Sequence, residues 1–65
     1  MYKISLELNG VVYEAAYDVI DDTLVVTFKD GSQSKIETLR GLDPDYWAKQ
    51  RLKSYAIKQE KKSAQ

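Results

Sequence analysis

Sixty-five residues suffice for one small domain, which buries only about 60% of the surface its unfolded chain exposes and so has a thin core. With no cysteine and no histidine, the chain forms no disulfide and lacks the usual ligands of zinc, haem and iron–sulfur centres. Ten basic and ten acidic side chains cancel, which argues against strong non-specific affinity for nucleic acid.

The first ten residues, MYKISLELNG, alternate apolar and polar side chains. Tyr2, Ile4, Leu6 and Leu8 fall on one face of a strand; Lys3, Ser5 and Glu7 fall on the other. The stretch has no continuous apolar core of a signal peptide, and no run approaches membrane-spanning length, so a cytoplasmic protein without membrane contact is expected. Asn9-Gly10 is a two-residue hairpin signal, because both positions tolerate the positive φ of a type I′ turn. That turn sets Leu8 against Val11, Leu6 against Tyr13, Ile4 against Ala15 and Tyr2 against Tyr17. Every one of these pairs is apolar or aromatic, so turn and pattern agree.

The second strand runs from Val11 to about Val19, and Ile20-Asp21-Asp22-Thr23 reads as a turn. The third, Leu24–Lys29, is rich in β-branched residues. A two-residue Asp21-Asp22 turn and a four-residue loop both place Val19 opposite Leu24. The next turn is decided by register. A strict Asp30-Gly31 turn would bring Glu37 and Lys35 to the apolar face. A three-residue Lys29-Asp30-Gly31 loop with a bulge at Gly31 pairs Leu24 with Ile36 instead. The fourth strand, Ser32 to about Leu39, is weakly apolar and reads as an edge strand or as partly irregular.

Asp43-Pro44-Asp45 starts a helix: Asp43 as N-cap, Pro44 at the first helical position, Asp45 against the positive end of the dipole. The helix is expected to reach Glu60. Ala48, Leu52, Tyr55 and Ala56 share one face, with Trp47 at its edge, where it is expected to help close the core. Tyr46 falls on the opposite side, with Ile57 three turns on and Gln50 and Lys53 close by. The expected whole is an α+β domain over residues 1–60: a three- to four-stranded antiparallel meander, order 1-2-3-4, with one C-terminal helix packed on one face and a frayed tail over 61–65.

Residues 17–31, YDVIDDTLVVTFKDG, resemble the strand–turn–strand core of small bacterial domains that include the KTSC domain, through Tyr17, Asp18, Leu24, Val26, Phe28 and Gly31. The Lys-Thr-Ser-Cys motif that names that family is absent, and the resemblance implies no activity here. The general character also suits a small bacterial or phage-encoded accessory protein.

Catalytic chemistry finds little to work with. The commonest general base and the best nucleophile are missing. Asp18, Asp21, Asp22 and Asp30 sit at hairpin ends without the spacing of a calcium loop, and turn chemistry accounts for them. No phosphate loop or dinucleotide fingerprint occurs, and Gly10, Gly31 and Gly41 all belong to turns. No cofactor, metal or small-molecule substrate is indicated. The charges are uneven: residues 1–42 carry four basic and seven acidic side chains, residues 43–65 six and three. A basic helix on an acidic sheet explains that split. The alternative is a nucleic-acid-binding module using the basic helix, with Lys49, Arg51, Lys53, Lys58, Lys61 and Lys62 toward phosphate. Against it, Tyr2, Tyr13 and Tyr17 fall on the core face rather than on an exposed stacking platform. The expectation is a non-enzymatic protein-interaction or regulatory module, whose partner is another protein or a second copy. Its candidate contacts are Tyr46, Gln50, Lys53 and Ile57, together with the first strand as an exposed edge.

Overall fold

In the computed structural model, which describes residues 1–63, Asn9 and Gly10 take positive φ values of 53° and 79°. They join β1 (Tyr2–Leu8) to β2 (Val11–Ile20). Leu8 pairs with Val11 and Tyr2 with Tyr17, the register expected from turn and pattern. Asp21 and Asp22 then form a two-residue turn, both with positive φ, into β3 (Thr23–Phe28). Aspartate suits such a turn because its short polar side chain tolerates the left-handed region.

The β3–β4 connection is the three-residue loop. The Phe28 amide donates to the Ser32 carbonyl at 2.9 Å and the Gly31 amide to the Phe28 carbonyl at 3.0 Å. Gly31, at φ 91°, takes the bulge position that a side chain would strain. Leu24 consequently faces Ile36. β4 (Gln33–Ile36) stops short of the expected Leu39. The four strands form one antiparallel sheet in order β1-β2-β3-β4, so β1 and β4 are its edges.

Between β4 and the helix, Thr38 and Arg40 both have positive φ, and Leu39 between them is buried. The Leu39 amide donates to the Asp22 carbonyl at 2.9 Å, and the Arg40 amide reaches the Asp22 carboxylate at 3.2 Å. Asp22 thus fastens this loop and aims Leu39 into the core.

The helix α1 (Pro44–Ser63) begins as its sequence signals: the Asp43 carboxylate accepts from the Asp45 amide at 3.1 Å. It runs past the expected end at Glu60, and residues 64–65 of the expected tail lie outside the described residues. Ala48, Leu52 and Ala56 are fully buried against β1, β2 and β3. The core comprises Ile4, Ala15, Tyr17, Leu24, Val26, Phe28, Leu39, Ala48 and Leu52, with Leu6, Tyr13, Ile36 and Tyr55 packed on it. Two alanines on the buried helix face let the backbone approach the sheet closely. Among the described residues no helix is long and apolar enough to cross a membrane.

Two aromatic placements correct the expectation. Trp47 is 36% exposed and stands outside the core, edge-on to Tyr46 with ring centroids 5.4 Å apart. The large rings that close the core are Tyr17, Phe28 and Tyr55. Tyr2 lies on the helix-covered face but is 63% exposed, stacked on Tyr17 at 5.2 Å. It stands near the end of an edge strand, where one flank has no neighbour.

Candidate functional site

The tyrosines of the core face act as struts between sheet and helix. The Tyr17 hydroxyl donates to Asp45 near the helix N-terminus at 3.4 Å. Burial, and then the Asp45 carboxylate, push Tyr17 above the usual phenol range. Tyr13 is raised by burial and by the Glu60 carboxylate near the far end of the helix. Tyr55 is raised by burial and by Asp30 in the β3–β4 loop. The Lys49 ammonium, 2.8 Å away, holds Asp45 below the ordinary carboxylate value, and Asp45 in turn raises Lys49. Ser32 lowers Asp30 through its hydroxyl, at 2.6 Å, and its amide, at 2.8 Å. These carboxylates are committed to packing and turn geometry. Among the described residues no group of three acidic side chains is arranged to hold a metal.

The candidate contact residues form one line along α1. Tyr46, Gln50, Lys53 and Ile57 follow an i, i+4, i+7, i+11 spacing, so they stack along one side of the helix. Tyr46 and Ile57 are exposed, 53% and 39% respectively; they lie about 16 Å apart along the axis at ~1.5 Å per residue. Lys53 is exposed and Gln50 half-buried. The stripe is apolar at its ends and polar between.

A second surface is β1 itself. In a two-residue hairpin the residues flanking the turn form a hydrogen-bonded pair, so Leu8, Leu6 and Ile4 direct their backbone groups to β2. Lys3, Ser5 and Glu7 direct theirs outward, and all three are exposed. β1 is seven residues long; β4, the other edge, has four.

Two concavities were not anticipated. A shallow depression of about 600 Å³ lies mainly on the helix-free face of the sheet, where Lys3, Ser5, Glu14, Ala16, Thr27 and Lys29 contribute. It forms because the small side chains of Ser5 and Ala16 sit between longer ones. A groove of about 300 Å³ separates β4 from α1, with Arg51, Ser54 and Lys58 on the helix side and Ser32, Gln33 and Ser34 on the strand side. Its sequence signal was the i, i+3, i+7 spacing of Arg51, Ser54 and Lys58, masked by the other basic residues distributed around the helix.

No family model matches the chain, and no curated protein or solved structure matches it either.

Proposed function

We propose that this chain is a non-enzymatic protein-interaction module, acting in the cytoplasm, that engages its partner through the β1 edge and the outer stripe of α1. The observation that carries this reading is the uncovered seven-residue β1, whose outward backbone groups at Lys3, Ser5 and Glu7 offer a template for another strand. Tyr46 and Ile57 add apolar contacts on a separate face. The tyrosines favour protein over nucleic acid as partner. Tyr13, Tyr17 and Tyr55 are occupied between sheet and helix, and among the described residues the exposed rings are split between Tyr2 on β1 and the Tyr46–Trp47 pair at the start of α1 rather than aligned on the sheet for base stacking.

The test is affinity for a partner captured by cross-linking, compared between the native chain and the Tyr46→Ala and Ile57→Asp variants. Both substitutions are expected to weaken capture while leaving the circular dichroism spectrum unchanged, and binding is expected to change little between about 50 and 200 mM salt. Oligonucleotide binding that falls steeply over that salt range would overturn the reading in favour of nucleic acid.

A further inference from the structure

We propose that the partner on β1 is a second copy of this chain, paired antiparallel about a two-fold axis at Ser5; this rests on the interaction reading above and names the occupant of that edge. The constraint is geometric. Lys3, Ser5 and Glu7 point their backbone groups outward, so in an antiparallel pair they must meet one another, odd residue against odd residue. Centring on Ser5 sets Ser5 against Ser5, Lys3 against Glu7 and Glu7 against Lys3 of the other copy, each residue donating one backbone hydrogen bond and accepting one. On the helix-free face this register makes the Lys3–Glu7 ion pair twice. On the helix-covered face it sets Ile4 against Leu6 and Tyr2 against Leu8, extending the apolar surface across the axis.

Charge selects this register over its neighbours. Sliding the partner by two residues either way removes both ion pairs. Sliding it by four sets Lys3 against Lys3 or Glu7 against Glu7, which is repulsive. A single-residue slip opposes outward to inward backbone groups and forms no ladder. The self-complementary patch is what an isologous two-fold contact requires. It also covers the most exposed tyrosine of the sheet, Tyr2. The two sheets become one continuous sheet with both helices on the same side.

The decisive experiment is sedimentation equilibrium of the full chain across a wide concentration range, with charge-reversal variants. The native chain is expected to show a monomer–dimer equilibrium. Lys3→Glu and Glu7→Lys are each expected to raise the dimer dissociation constant on the order of tenfold, because two attractive pairs become two repulsive ones. The double variant K3E/E7K restores the pairs with their signs exchanged and is expected to return to the native value. Ser5→Pro removes an outward amide at the axis without touching the β1–β2 ladder, and should abolish the dimer while circular dichroism stays native. A chain that is monomeric at all concentrations overturns self-pairing, and the broader interaction reading is then judged on captured partners alone. A dimer indifferent to the β1 variants but lost in Tyr46→Ala or Ile57→Asp also overturns it, placing the copy on the helix. Failure of the double variant to recover would remove the proposed register.

Discussion

Tyr55 lies flat on Phe28, with ring centroids 4.4 Å apart and planes 6° from parallel. This stack joins the middle of α1 to the end of β3, beside the loop that holds Asp30. It shows where a chain of this size spends its large side chains: on the seam between helix and sheet, with small alanines at the points of closest approach.

The core therefore depends on Leu52 more than on the larger Trp47. Leu52 is fully buried, whereas Trp47 stands at the surface beside Tyr46. Leu52→Ala is expected to cost about 2–5 kcal/mol through lost transfer energy and a residual cavity. Trp47→Ala is expected to cost about 1 kcal/mol. Urea unfolding followed by circular dichroism measures both, and a larger loss at Trp47 would contradict the packing described.

Stability should fall at both extremes of pH, for different reasons. Asp45 has its folded value lowered by Lys49, and Asp30 by Ser32, so their contributions are complete above the ordinary carboxylate value and disappear as pH falls through the lower folded value. Tyr17, Tyr13 and Tyr55 are raised, so the folded state favours their neutral form. Their contribution is complete below about pH 10 and is lost as pH rises through the folded value. Urea denaturation as a function of pH is expected to show a plateau between about pH 4 and 10. Asp45→Asn should flatten the acid side and Tyr17→Phe the alkaline side.

Asp22 has two separable roles. It sits at φ 63° in the β2–β3 turn, and its carboxylate accepts from Arg40. Asp22→Ala loses the hydrogen bond and keeps the strained backbone, at an expected cost of about 2 kcal/mol. Asp22→Gly loses the same hydrogen bond in a residue at ease with positive φ, and should cost about 1 kcal/mol less. Equal losses in thermal unfolding would mean that the backbone conformation at this position carries no penalty.

The sheet was legible because its signals are local. Asn9-Gly10 dictates a turn, period-two alternation dictates a face, and the two agree on one register from Leu8–Val11 out to Tyr2–Tyr17. At Gly31 the choice between loop lengths was settled by keeping Lys35 and Glu37 off the apolar face. Asp43 and Pro44 marked the helix start for the same reason, since a cap acts within one turn. The stripe from Tyr46 to Ile57 followed from helical spacing alone.

Other features depended on distant parts of the chain. Leu39 enters the core through two left-handed neighbours and a hydrogen bond to Asp22, seventeen residues before it, not as the end of a strand. Trp47 stands outside, edge-on to Tyr46, while Tyr17, Phe28 and Tyr55 supply the rings of the seam, a division that helical spacing does not express. Tyr2 is exposed because β1 has a neighbour on only one side. Sequence determined which face each side chain takes and where the chain turns, because those follow from bonded geometry and near neighbours. Only the tertiary structure decided how deeply each residue is buried and how the chain between β4 and α1 enters the core, because both depend on what packs beside it.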